Sequence, residues 1–381
     1  MDFSFNEEQN LLRDSVRKFV EKSYSFEQRR ALSKSELGFS RDNWRAFAEL
    51  GWTAIPFCEA DGGLGGKAVD TMIVVEELGK GLVLEPYFAT VVFAGGLLRR
   101  GGDALRAKHL PGLIGGETLA AVAYAEVDSR FDLHNVATTA KREGSGFVLD
   151  GKKIGVIAGP SADLLIVSAR TSGGGQDKSG ITLFAVDAKS AGVSRKDYRT
   201  VDGLRASDVT LSKVKVDASS VIGEVDAIDN GLAILEAGVD EAIIALGAEA
   251  MGVMEVLFKS TLDYIKERKQ FGVPIGSFQA LQHRMVDVFI EYEQAKSMAY
   301  MAAMTQDAAN SSSELAKAAA ALKVQLGKSG RVVGQQAIQL HGGMGMTEEL
   351  AVSHYFKRMT IIDLMFGNAD HHLGRYVALS A

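Results

Sequence analysis

Proline is the residue that most limits how this chain can fold, because inside a helix it removes a backbone donor and collides with the preceding turn. The chain has five, Pro56, Pro86, Pro111, Pro160 and Pro274, so residues 161–273 and 275–381 contain none. Residues 277–326 lack glycine as well and are rich in Ala, Met, Leu, Glu and Lys. That stretch predicts long helices. Asn310-Ser311-Ser312-Ser313 interrupts it, and Ser311 with Glu314 has capping-box spacing for a new helix.

The first 118 residues also predict helices. Leu11, Leu12, Val16, Phe19 and Val20 fall at helical spacing, with Glu7, Glu8 and Asp14 on the other face. Glycine-rich turns follow at 61–66 and 101–102. Near residue 119 the texture changes. Phe147-Val148-Leu149 predicts a strand running into an Asp150-Gly151 turn, and Leu164–Val167 and Ile181–Val186 are short strand-forming runs. Val209, Leu211, Val214 and Val216 alternate with polar residues, with one slip. Ser172–Gly180 is expected to be a flexible loop. These features predict a mostly α chain with a central, antiparallel β domain, divided as 1–118, 119–226 and 227–381.

Composition removes several classes. With 46% hydrophobic and 24% charged residues over 381 positions, the chain can build a core. Its 41 glycines show no period, which excludes a collagen-like chain. A net charge of −6 argues against a nucleic-acid binder. One cysteine, Cys58, allows neither an internal disulfide nor a cysteine metal cluster. The start has no signal-peptide character and no 18-residue apolar run appears, so a cytoplasmic protein is expected. The glycine clusters miss phosphate-loop spacing, since Ala68 stands where GxGxxG needs glycine and Gly66-Lys67 lacks a following Ser or Thr. No HExxH and no GxSxG occurs, and the adjacent pair His371-His372 diverges on any regular element, so no metal site is expected.

Three segments carry specific signals. Arg268-Lys269-Gln270-Phe271-Gly272-Val273-Pro274-Ile275-Gly276-Ser277-Phe278-Gln279 runs into Leu281-Gln282-His283. Gln339-Leu340-His341-Gly342-Gly343-Met344-Gly345-Met346-Thr347-Glu348-Glu349 follows later. Leu50-Gly51-Trp52-Thr53-Ala54-Ile55-Pro56 leads into the glycine turn at 62–66. Together they closely resemble the acyl-CoA dehydrogenase flavoprotein superfamily, over the whole chain. The resemblance implies an N-terminal helical domain, a middle β-barrel and a C-terminal four-helix bundle, assembled as a tetramer. It implies FAD as cofactor, an acyl-CoA substrate and an electron-transfer flavoprotein as acceptor. The reaction would set a 2,3-double bond in a CoA thioester by α-proton abstraction and β-hydride transfer to flavin. By the same resemblance Arg268, Phe271, Gln279, Gln339, Gly342 and Gly343 embrace the ADP half of an FAD. An arginine fork suits a pyrophosphate, and paired glycines let a backbone approach a nucleotide.

The departures from the family pattern are as informative. Family members with a C-terminal Tyr-Glu-Gly-Thr base have their counterpart here in Phe366-Gly367-Asn368-Ala369, with glycine at the glutamate position. Others keep the base on the first helix of the C-terminal domain, a position that falls on Ala242. Glu241 and Asp240 precede it and are the candidate bases, since burial beside Ala242-Ile243-Ile244-Ala245-Leu246 favours a basic carboxylate. The alternative is that both acids merely decorate the start of that helix, where its dipole favours them. The family's flavin-binding Thr-Glu-Pro stretch appears as Ala125-Glu126-Val127, and its Trp-Ile-Thr as Gly155-Val156-Ile157. The tail from Asp363 to Leu373 looks most like the small subunit of pimeloyl-CoA dehydrogenase and the subunits of two-chain steroid side-chain dehydrogenases. Two functions therefore stay open: an acyl-CoA dehydrogenase with its own base, in a homotetramer, or an FAD-clamping structural subunit of an α2β2 heterotetramer. A dioxygen-using oxidase ranks below both. Linear, dicarboxylic and steroid side-chain thioesters all remain possible substrates.

Overall fold

A computed structural model describes residues 5–223, 227–308 and 311–381. Residues 1–4, the expected boundary at 226 and Asn310 lie outside them. In chain order come α1 (Glu7–Ser23), α2 (Phe26–Lys34), α3 (Arg41–Glu49), α4 (Ala68–Lys80), α5 (Gly95–Leu98) and α6 (Asp103–Ile114). Seven strands follow: β1 (Ala120–Ala123), β2 (Thr139–Glu143), β3 (Gly146–Ile157), β4 (Leu164–Arg170), β5 (Ile181–Asp187), β6 (Val193–Arg199) and β7 (Arg205–Asp217). The remainder is α7 (Gly231–Glu267), the hairpin β8 (Lys269–Gln270) and β9 (Val273–Pro274), α8 (Gln279–Ala308), α9 (Ser312–His341), α10 (Ala351–Leu364) and α11 (Ala369–Ser380). Helices, a curled sheet and helices again form the three-domain arrangement that the resemblance implied.

The chain divides into two compact units. One comprises residues 1–31, 68–83 and 243–381. The proline-free tail makes its long helices, and Ser311 caps α9 by accepting from the Glu314 N–H at 3.3 Å. α7 is apolar on nearly every side and correspondingly buried over Ala242–Leu246. A Cβ on Gly252 would lie 2.1 Å from the Glu76 carbonyl oxygen, so only glycine lets α7 and α4 come this close. α1 buries Val16 and Val20 but leaves Leu11 65% exposed. Its inward stripe is narrower than its apolar pattern because it packs through one side on α4, tied by Gln9 to Asp70 and Arg17 to Glu77.

The other unit comprises residues 32–67 and 84–242 and holds the sheet. Strand order is β1-β4-β2-β3-β7-β6, with β5 paired to β4. Leu149, Leu165, Val167, Phe184, Val186, Val209 and Leu211 form its core. Three expectations are corrected here. The sheet is not wholly antiparallel, since β1 runs parallel to β4, a pairing reached by crossing over β2 and β3. Asp150-Gly151 is not a turn: β3 continues through it opposite a bulge in β7, with the Asp150 carboxylate accepting from the Lys213 N–H at 2.8 Å. Ser172–Gly180 is tied down by the buried Arg170, which donates to the carbonyls of Gly175, Asp177 and Ser179.

Candidate functional site

The candidate nucleotide residues all lie in the helical unit, on its surface. α7 ends at Glu267, and the hairpin turns through Phe271 at φ +55° and Gly272 at φ +83°. Two positive φ values suit a tight two-residue hairpin, but the first normally belongs to Asn, Asp or Gly. Phe271 is therefore strained, and it is also 92% exposed. Its ring and that of Phe278 meet edge to face, with centroids 6.2 Å apart. Arg268 is exposed and, among the described residues, has no ion pair. Gln279 opens α8 and Gln339 lies in the last turn of α9, both exposed. Gly342 closes α9 at φ +61° and ψ −144°, a conformation essentially reserved for glycine. Gly343 has no such demand, and a Cβ there would meet nothing within 4 Å. Nothing among the described residues explains that glycine.

The two motifs meet through Tyr264, one turn before Arg268, whose ring stacks on His341 at 4.4 Å and 28°. Sequence reasoning did not single out either ring, although His341 directly precedes the glycine pair.

The candidate bases lie in the sheet-bearing unit. They are not at the start of α7, which begins at Gly231, so the dipole alternative does not apply. Glu241 is largely buried, as expected, but it is engaged on both oxygens. Arg99 donates to Oε2 at 2.7 Å, and Arg100 donates to Oε1 at 2.7 Å and Oε2 at 3.2 Å. Arg99 also donates to the Pro56 carbonyl, so the carboxylate helps pin the 52–66 loop. Both carboxylate oxygens are thus committed to charge-assisted hydrogen bonds. Asp240 is 3% exposed, and Ala242 is fully buried.

Gly367, in the helical unit, adopts φ +112°. A Cβ there would lie 2.5 Å from His371 Cδ2 and 3.1 Å from His372 Nε2. No side chain fits without displacing an imidazole. Gly155, in the sheet, sits in a bulge at φ +64° with open space around its missing Cβ. Glu126 turns inward, accepting from the N–H groups of Ala137 and Thr138 and from Lys153 Nζ at 2.7 Å.

Residues 6–117, 121–215 and 229–377 match the N-terminal, middle and C-terminal domains of acyl-CoA dehydrogenase. The chain belongs to the acyl-CoA dehydrogenase family. It is 32% identical to "Acyl-CoA dehydrogenase IpdE2" of Mycolicibacterium smegmatis over 93% of this chain and 92% of that one. Among solved structures, the ChsE4-ChsE5 complex from Mycobacterium tuberculosis superposes with a TM-score of 0.87 at 27% identity, covering 99% of both chains. The FAD complex of PigA superposes at 0.91 with 26% identity, covering 100% of both. This acyl-CoA dehydrogenase family member is an oxidoreductase, and its cofactor is FAD. The residues present fit one half of that cofactor. Arg268, the two glutamines and the unfilled space over Gly343 suit a pyrophosphate and nucleotide. The ring half fits poorly, because Gly155 offers no face to stack on and Glu126 spends its oxygens inside the sheet. Among the described residues no helix is long and apolar enough to cross a membrane.

Proposed function

We propose that this chain is the nucleotide-clamping subunit of a two-chain, FAD-dependent acyl-CoA dehydrogenase that sets a 2,3-double bond in a CoA thioester. One observation carries this reading: neither position to which the family resemblance assigns a base has a free carboxylate. The first falls on Ala242, whose neighbour Glu241 is held by Arg99 and Arg100, and at the second the side-chain space of Gly367 is filled by His371 and His372. A second copy of the chain would bring the same two residues, so the base comes from a related partner of different sequence. Arg268 neutralises the pyrophosphate, Gln279 and Gln339 offer amides, and Gly342-Gly343 admits the nucleotide. Bound FAD supplies the acceptor for the hydride leaving the β carbon, and an electron-transfer flavoprotein takes the electrons onward. The ChsE4-ChsE5 complex is a two-chain relative of the same fold, which supports such a pairing.

A stand-alone dehydrogenase using Glu241 is the second reading, favoured by the burial of that carboxylate on α7. Purifying the chain alone and with a co-expressed paralogue separates the two. We expect a colourless protein alone and a yellow one with the partner, its flavin bleached by acyl-CoA even in Glu241→Gln. A yellow single chain whose bleaching is abolished by Glu241→Gln would establish the second reading instead.

A further inference from the structure

The proposed clamp draws on two segments distant in sequence, and their mutual placement has a specific origin. The Arg268 N–H donates to the Tyr264 carbonyl at 2.8 Å, and the Arg268 carbonyl accepts from the Ile275 N–H at 2.8 Å. The hairpin is thus bound to the helical turn that carries Tyr264. On the other side, His341 is buried and its Nδ1 lies 2.8 Å from the Ala337 carbonyl, which sets the tilt of its ring. The turn that follows folds back over it, since a Cβ on Gly345 would lie 3.1 Å from His341 Cβ. Between these two supports lies the stack of Tyr264 on His341, with ring centroids 4.4 Å apart. Arg284 donating to Gln336 at 3.3 Å is a more exposed tie between α8 and α9.

We infer that Tyr264 and His341 are positioning residues for the dinucleotide: their stack sets the distance between the arginine fork and the glycine pair. The inference rests on the proposed clamp. Tyr264 is only half-buried, so the stack adds little to the core. Its consequence is registration of two exposed segments, which a nucleotide spanning both would sense and the apoprotein's stability would not.

The test measures FAD release, by recovery of flavin fluorescence, in the full chain purified with its partner, alongside thermal unfolding of the FAD-free protein. Tyr264→Leu is expected to weaken FAD retention by about threefold to tenfold, the range that loss of one aromatic pair produces. Tyr264→Phe keeps the stack and should retain FAD. Wild-type retention in Tyr264→Leu would overturn the inference, as would an equal loss in Tyr264→Phe. If Tyr264→Leu does not fold, His341→Gln removes the same stack, and unchanged retention there overturns it equally. Arg268→Ala separates the levels: normal retention in that variant rejects the clamp itself, whereas loss with Arg268→Ala but not Tyr264→Leu rejects only the positioning role.

Discussion

Lys153 has no exposed surface, and its ammonium meets Glu126, Ser168 Oγ and the Tyr124 carbonyl. Burial pulls its pKa down to about 8, against the pull of Glu126. Burial opposes the charge of Glu126 in turn, but Lys153 and Thr138 outweigh it and hold that carboxyl below the usual range. Breaking such a pair from one side strands a buried charge. Lys153→Met is expected to lower unfolding free energy by about 3 kcal/mol, and the double variant Glu126→Gln/Lys153→Met to recover most of it. Glu126 contributes stability above the unfolded carboxyl pKa, and loses it as pH falls through the folded one. Lys153 acts in the same sense at higher pH: its unfolded form also binds the proton more tightly, so stability rises between about pH 8 and the unfolded lysine pKa. Urea melts of wild type and double variant from pH 3 to 10 check both, the wild type losing its advantage in acid and gaining further above pH 8. Neither this pair nor the fate of Glu241 was legible in the sequence. The arginines that occupy Glu241 lie 142 and 141 residues away, and no local pattern reports which way a helical carboxylate points. Glycine at 155 and 367 was legible as a loss; that imidazoles fill one place and nothing fills the other required the fold.

At the scale of elements, the hairpin after α7 holds the clearest conflict between local preference and observed structure. A phenylalanine at φ +55° and 92% exposure is unfavourable in backbone and in solvation. Phe271→Gly should therefore raise stability by about 1 kcal/mol, because glycine occupies that region without strain. If Phe271 belongs to the proposed clamp, the same substitution should also weaken FAD binding. Calorimetric unfolding and flavin fluorescence on one preparation check the pair of effects, and a variant both stabler and equally tight would remove Phe271 from the clamp. The long helices were readable because few breakers interrupt them, and Ser311 marked the start of α9 correctly. β3 was misjudged at Asp150-Gly151 because the sequence pair is the same whether the strand turns there or runs on past a bulge in its neighbour β7. Only the pairing of Lys152 with Thr210 and of Lys153 with Val209, beyond the bulge, tells them apart.

At the scale of the whole molecule, α8 presents an apolar face that the described residues leave exposed. Val286 is 54% exposed, Phe289 46% and Ile290 45%, beside a cleft of about 490 Å³ that also takes in Met298. Contiguous apolar surface of this kind is uncommon on a monomer and marks a contact with another chain. The same helix begins at Gln279 and the exposed Phe278, so a partner seated along α8 would reach the proposed nucleotide residues. Assembly and FAD retention should then fail together. Ile290→Asp places a charge on an already exposed position, where it should change the stability of the isolated chain by about 0.5 kcal/mol or less. Sedimentation of the co-expressed complex is expected to show free subunits in place of the assembled complex, with flavin lost from the protein fractions and far-ultraviolet circular dichroism unchanged. An Ile290→Asp complex that sediments as wild type would put the subunit contact elsewhere and leave the α8 face without a role in holding FAD.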